Sequence, residues 1–140
     1  MKKLQTLIKL HKNDVDKTLK QISEYNHMIS QNEAELVKLM QDMQIEMEGF
    51  HASEYGPILD SYLLNSRKIQ SVIQKNIKDL EQKVERAHLL LHEQFAELKK
   101  YEIALKNRIL EFKEEEKRKE TKKLDEHNVI RYVIPGSEIK

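Results

Sequence analysis

The chain has 140 residues, of which 35% are charged and only 6% aromatic, and it contains neither Trp nor Cys. Its 25 basic and 24 acidic residues give a net charge of +1, so no overall charge attracts it to nucleic acid or to an anionic membrane. Three Gly and two Pro are too few for the turns of a sheet protein, and the lack of Cys excludes a disulfide framework. This composition is typical of long helices and coiled coils.

The first half of the chain repeats apolar residues at heptad spacing, which predicts one coiled-coil helix over residues 3–49. The apolar residues fall in two ladders, which together would form the contact surface, or seam, of the coiled coil. The second ladder has polar members, which would lower the stability of the seam while restricting its register. The first ladder is Ile8, Val15, Ile22, Ile29, Leu36, Met43 and Phe50. The second ladder is Leu4, His11, Thr18, Tyr25, Asn32, Leu39 and Glu46. Three apolar residues one position beyond the ladders are expected to widen the stripe: Leu19, Met40 and Met47.

The second half repeats this pattern and predicts a longer helix over residues 58–127. One ladder is Leu63, Gln70, Ile77, Val84, Leu91, Leu98, Leu105 and Phe112. The other is Leu59, Ser66, Ile73, Leu80, Ala87, Gln94, Tyr101 and Arg108, and Phe95 and Ile109 are expected to broaden the seam. Helices with one apolar face are not stable alone in water, so the two halves are expected to pack together.

The segment GFHASEYGP, with a tip predicted at residues 50–57, separates the two helices. Gly49 and Gly56 can adopt left-handed backbone angles, and Pro57 suits the first turn of a new helix. The predicted fold is therefore all-α, a single domain over residues 1–128 that forms an antiparallel two-helix coiled-coil hairpin with a longer second helix. A flexible C-terminal tail is predicted over residues 129–140, which contain Pro-Gly.

The unequal lengths of the helices predict that residues 106–127 project past the start of the first helix. Glu and Lys or Arg at i, i+4 spacing, such as Glu114 with Arg118 and Glu115 with Lys119, would support a solvated single helix there. Such a helix either frays in the free protein or is ordered by a partner.

No motif for catalysis, for a cofactor or for a metal stands out in the sequence, so no enzyme activity and no cofactor are predicted. His88 and His92 share a helical face, but two surface histidines beside a seam explain them better than a metal site does. Basic residues without interleaved aromatics make nucleic-acid binding unexpected. Phe50 and Tyr55 at the tip are either anchors for a partner protein or a small plug that holds the turn.

Charge is distributed unevenly along the chain. Residues 1–20 carry +4, residues 21–60 carry −7, residues 61–100 carry +3 and residues 101–140 carry +1. Such a polarised hairpin could be oriented inside a ring or against a membrane-proximal partner, although most charge runs are simply solvated. No apolar run approaches the roughly 18 residues that cross a bilayer, and no signal peptide is recognisable, so a cytoplasmic protein is expected.

Three stretches of the chain resemble the flagellar export proteins of the FliJ family. The opening LQTLIKLHKNDVDKTLKQISE is similar to the start of that family, and YLLNSRKIQSVIQKNIKDLEQ is similar to its second helix, with Tyr62, Ile69, Ile73 and Leu80 at matching spacing. The segment KKLDE at residues 122–126 resembles the closing part. The resemblance covers about residues 4–131, and its specificity comes from the combined layout.

The resemblance implies a stalk-like component of the flagellar type III export apparatus, at the inner face of the cell membrane. It implies that the chain binds the hexameric export ATPase through the terminal end of the hairpin and promotes ring assembly, ATP turnover and substrate export. The other implied partners are the membrane protein of the export gate and the export chaperones. Membrane association would then run through these partners.

The resemblance also implies binding residues. For the export gate they are Leu39, Asp42, Glu46, Tyr62, Asn65, Ile69, Val72 and Asn76, together with Glu35. Leu39 and Ile69 keep the large apolar side chains of that layout, whereas Asp42 and Glu46 replace aromatic residues. For the ATPase they are Leu4, Leu7, Phe112, Lys113, Lys117, Lys122 and Lys123. A virulence-secretion stalk protein of the YscO type and a generic coiled-coil scaffold or adaptor are the alternatives.

Overall fold

The computed structural model describes residues 1–49 and 56–133, with side chains as far as residue 130. Two α-helices form this part of the chain: α1, Lys2–Gly49, with 48 residues, and α2, Gly56–Val133, with 78 residues. They pack against each other as a hairpin-like coiled coil, which confirms the predicted fold class and the longer second helix. Neither helix, over its described length, contains a segment apolar enough to cross a membrane.

The helix boundaries differ from the prediction mainly at the C-terminal end. α2 continues to Val133, although the sequence pattern predicted its end at residue 127 and a tail from residue 129. Residues 128–133 contain no helix breaker, and Pro135 is the first residue that disfavours helical backbone in the residue before it. The amphipathic pattern therefore stops earlier than the helix does.

The two glycines beside the predicted tip are helical. Gly49 ends α1 and Gly56 begins α2, and neither has a positive φ, contrary to the expectation of left-handed angles. A helix end tolerates Gly because a helix interior is where its flexibility costs about 1 kcal/mol. The rest of the predicted tip, residues 50–55 with the candidate anchors Phe50 and Tyr55, lies outside the described residues.

Two compact units divide the chain: residues 13–95 form one, and residues 1–12 together with residues 96–140 form the other. Each unit contains a stretch of both helices and has its own buried apolar residues. In the unit of residues 13–95 these are Val15, Ile22, Ile73, Ala87 and Leu91, and in the other unit they are Ile8 and Leu98.

The heptad ladders form the contact between the helices. Each ladder position is buried or half-buried from Leu4 to Glu46 in α1 and from Leu59 to Leu105 in α2. This confirms the predicted seam over that length. Arg108 and Phe112, the last predicted members, are exposed, so the seam ends at Leu105.

The residues expected to widen the seam are exposed instead. Between 37% and 52% of each side chain remains accessible for Leu19, Met40, Met47, Phe95 and Ile109. A pair of helices has no third element to cover the positions that flank a two-helix seam, and these side chains therefore stay on the surface. No described side chain falls below 2% exposure, so the core is a shallow strip.

The shallow core can be tested with two leucines that are two residues apart in α2. Leu91 is 8% exposed and Leu89 is 65% exposed. We expect Leu91→Ala to lower the free energy of unfolding by about 2 kcal/mol, because it removes apolar contacts across the seam and leaves a cavity. The matched variant Leu89→Ala should change it by less than about 0.5 kcal/mol. Urea unfolding followed by circular dichroism measures both, and equal effects would contradict the seam.

Candidate functional site

A buried hydrogen bond joins the helices in the unit of residues 13–95. Thr18 is 4% exposed, and its hydroxyl donates to Gln94 Oε1 at 2.6 Å and lies 3.1 Å from the carbonyl oxygen of Asp14. A hydroxyl has one proton and therefore donates to only one of these acceptors at a time. The contact satisfies a polar group that would otherwise be costly inside the seam, and it pairs one position of α1 with one of α2.

An aromatic contact occupies the seam in the unit of residues 1–12 and 96–140. The rings of His11 and Tyr101 are stacked, with centroids 4.9 Å apart and an interplanar angle of 21°. Such pairs contribute roughly 0.5–1.5 kcal/mol beyond the burial of their area. His11 therefore has a specific packing partner in α2.

A shallow groove of about 270 Å³ lies between the helices in the unit of residues 13–95. Gln21 Nε2 donates to the Tyr25 hydroxyl at 2.9 Å, and Lys83 Nζ lies 5.9 Å from the centre of the Tyr25 ring. Ala87 and Leu90 form the apolar wall, and Arg86 adds a second positive charge. The groove is open to solvent and suits contact with a side chain of another protein.

The residues that the family layout assigns to the export gate all lie in the unit of residues 13–95. Leu39 and Glu46 are half-buried ladder members, and their side chains contribute to the contact between the helices. On α2, spacings of three and four residues place five of the assigned residues on one helix face. Of these, Tyr62 is half-buried, and Asn65, Ile69, Val72 and Asn76 are exposed.

Asp42 and Glu35, the remaining residues of that layout, are exposed on α1. The apolar part of the face on α2 consists of Ile69 and Val72, which are 44% and 59% exposed. Their exposure makes them available to a partner, because nothing in the described part of the chain covers them.

The residues assigned to the ATPase all lie in the unit of residues 1–12 and 96–140. Leu4 and Leu7 are half-buried, whereas Phe112 is 57% exposed. The four lysines of this set, Lys113, Lys117, Lys122 and Lys123, are also exposed. The structure thus separates this set into two half-buried residues and five exposed residues.

Each described side chain in residues 106–130 is exposed, although the backbone is helical throughout. Within the described residues one ion pair is present there, Glu115 with Arg118 at 3.8 Å and i, i+3 spacing, and not the i, i+4 pairs expected from the sequence. An exposed pair of this kind contributes about 0–1 kcal/mol. This part of α2 is therefore a helix without a packing partner among the described residues.

Over residues 1–49 and 56–130 no group of three or more His, Asp or Glu side chains is arranged to hold a metal ion. His88 and His92 are both exposed. The described surface offers a groove, an apolar face and charged flanks. These features suit contacts with other proteins or with a charged surface.

Sequence reasoning missed the pairing of Thr18 with Gln94 and of His11 with Tyr101. It identified all four residues as ladder members but treated the polar ones as local weaknesses. The available signal was their spacing, because His11 and Thr18 are seven residues apart and so are Gln94 and Tyr101. In an antiparallel pair of helices, an alignment that places Thr18 opposite Gln94 therefore also places His11 opposite Tyr101.

These features define a two-helix coiled-coil protein whose surface suits binding. A comparison with protein-family models matches residues 1–136 to the family described as "Flagellar FliJ protein". The chain belongs to this family, which confirms the resemblance seen in the sequence and supports a role as a component of flagellar type III export. A comparison with the curated proteins gave no match, and a comparison with the solved structures gave none either.

The buried hydrogen bond can be isolated with a double-mutant cycle. We expect Thr18→Val to lower the free energy of unfolding by about 1 kcal/mol, because Gln94 loses its partner in the seam. Thr18→Val combined with Gln94→Leu should recover that loss through apolar contact, so the two changes should not be additive.

Thr6 provides the matched control for this cycle. Its hydroxyl makes the same bond to the carbonyl four residues back, Lys2 at 2.9 Å, but it is exposed and no bond to α2 is described for it. Thr6→Val should leave the unfolding free energy nearly unchanged. Additive effects of the Thr18 and Gln94 substitutions in urea unfolding would show that the bond between the helices contributes nothing.

Proposed function

We propose that this chain is a stalk-like component of the flagellar type III export apparatus that binds the export ATPase ring and the export gate. In this role it promotes assembly of the ATPase hexamer and the export of substrates, and it takes no part in bond-making chemistry. The observation that carries the proposal is the continuous helical backbone of residues 106–130, in which each described side chain is exposed. Membership of the FliJ family supplies the export system in which such a segment would act.

The exposed segment suits a binding role because its sequence favours a helix but not a seam. Its heptad positions after Leu105 hold Arg108, Phe112, Glu115 and Lys119, which cannot form an apolar core. Lys, Glu and Arg have high helix propensity, so the segment stays helical without burying surface. A helix that is ordered in advance loses less conformational entropy when it enters a partner.

The terminal unit, residues 1–12 and 96–140, is the part that we assign to the ATPase. It holds Leu4 and Leu7 beside the seam and Lys113, Lys117, Lys122 and Lys123 on the exposed segment. Glutamates lie between these lysines in the sequence, at Glu114, Glu115, Glu116 and Glu120. Mixed charges of this kind favour a partner surface that also carries both signs.

The face of α2 with Ile69 and Val72 is the part that we assign to the export gate. The two side chains are exposed and are flanked by Asn65 and Asn76, with Asp42 on α1 as a further contributor. An apolar centre with a polar rim is the usual anatomy of a protein interface. Export chaperones are further partners in this proposal, and the protein acts in the cytoplasm, held at the inner face of the membrane by its partners.

Removal of the chain after Phe112 tests the exposed segment. We expect the truncated protein to lose stimulation of the cognate export ATPase, measured as ATP turnover with purified components. Its thermal unfolding should remain cooperative, because the seam ends at Leu105 and is intact. Full stimulation by the truncated protein would contradict this role, and loss of folding would show that the segment is structural.

A charge placed on the apolar face of α2 tests the gate assignment. We expect Ile69→Asp with Val72→Asp to weaken binding to the cytoplasmic domain of the gate protein by at least tenfold, because a carboxylate would be buried in the interface. Leu64→Asp is the matched control, since Leu64 is 58% exposed at a different position around the same helix. Equal binding of the double variant and the control would contradict the assignment.

A further inference from the structure

A concentration of positive charge lies in the unit of residues 1–12 and 96–140, where α1 and α2 run side by side. Residues 2–12 and 99–109 together contain eight basic residues and one acidic residue, Glu102, a net charge of +7. All eight basic side chains are exposed, and Glu102 is half-buried. The whole chain has a net charge of only +1, so this is a local feature of the terminal unit.

Five of these side chains form one flank of the coiled coil, which we call the lysine flank. His11 and Tyr101 meet in the seam, and in an antiparallel pair the positions that follow such seam residues lie on the same side of both helices. Lys12 and Glu102 occupy those positions. Ile8, Leu98 and Leu105 belong to the other ladder. The residues that come directly after them in sequence lie on the same side of the coiled coil as Lys12 and Glu102. The lysine flank is Lys2, Lys9, Lys12, Lys99 and Lys106.

The lysine flank is unfavourable for the isolated protein. Like charges on neighbouring positions repel each other, and no ion pair of these lysines is present in the described structure, where the one pair is Glu115 with Arg118. The first turn of α1 also has no acidic residue and begins with Lys2 and Lys3, next to the positive end of the helix dipole. An arrangement that opposes stability indicates a function, and positive charges of this kind suit an external anion.

The chemistry and the geometry of the flank favour a lipid surface over a protein. The basic residues of the flank are all Lys, with Glu102 as the one acidic residue among them. Fixed carboxylates of a protein interface are matched best by the planar fork of Arg, and Lys is depleted from such interfaces. Lys2 and Lys9 are seven residues apart, as are Lys99 and Lys106, so each pair forms a row with a step of about 10 Å along its helix. Long, flexible ammonium groups in rows suit a flat surface with mobile negative charges.

We propose that the lysine flank binds directly to an anionic phospholipid surface and lays the terminal unit along the membrane. This goes beyond the proposed function, in which partner proteins hold the chain at the membrane. Attraction of this kind is electrostatic and short-ranged, because it falls off within a Debye length of about 8 Å at physiological salt. Binding should therefore be reversible and sensitive to salt.

The test is co-sedimentation of the full-length protein with vesicles of phosphatidylglycerol and phosphatidylcholine, with no other protein present. We expect binding at low salt, loss of binding at high salt and no binding to vesicles of phosphatidylcholine alone. Each lysine near an anionic surface is worth about a fivefold change in partitioning, so the triple variant Lys9→Gln, Lys99→Gln, Lys106→Gln should bind about a hundredfold more weakly.

A second triple variant keeps the same change in net charge but leaves the flank intact: Lys68→Gln, Lys75→Gln, Lys78→Gln, all exposed in α2. It should bind the anionic vesicles nearly as well as the unaltered protein does. Lys→Gln preserves helix propensity, and circular dichroism would verify that both variants fold. Failure of the unaltered protein to bind, or an equal loss in the two variants, would overturn the proposal. Neither outcome bears on the ATPase, because the assay does not contain it.

Discussion

The contact between the two heptad seams is the interaction on which the rest of the molecule depends. Each helix has one apolar face, and neither could persist in water without the other. Two helices cannot enclose a side chain on all sides, so the best buried apolar residues, such as Val15 and Ile22, keep 5% and 6% of their surface exposed. Stability therefore accumulates in small amounts along the seam, and polar layers such as Thr18 with Gln94 are tolerated because they are hydrogen-bonded.

The end of the seam at Leu105 changes what holds α2 together. Before that residue, α2 is helical because it buries a face against α1. After it, intrinsic propensity and weak charge pairs maintain the helix as far as Val133. A surface that is not used for packing is available for binding, and the stretch that no other described residue covers is the one that we assign to the ATPase.

The sequence was sufficient to predict the ladders, because a period of seven residues over a long stretch has one structural interpretation. It did not predict where α2 ends, since helix propensity persists after the amphipathic pattern stops. Residues 128–133 are helical although the pattern predicted the end of the helix at residue 127. It also overestimated the seam at Leu19 and Phe95, because the number of covering helices, and not hydrophobicity, decides whether a flanking position is buried. The binding residues are harder still, since Ile69 and Leu64 are both exposed apolar residues of α2 and hydrophobicity alone does not distinguish the face that binds.

Along the length of the seam the described residues offer binding surface on its flanks, and these flanks differ in chemistry. The groove beside Tyr25 has an aromatic floor with Lys83 above it, whereas the flank at Lys9 and Lys106 offers mainly ammonium groups. Packing in the seam explains Tyr25, but not the exposed Lys83 and Arg86 or the lysine flank, because substitution of exposed residues seldom changes stability by more than about 0.5 kcal/mol. Residues that do not stabilise the fold, and that in the lysine flank oppose it, are best explained by what they contact outside the chain.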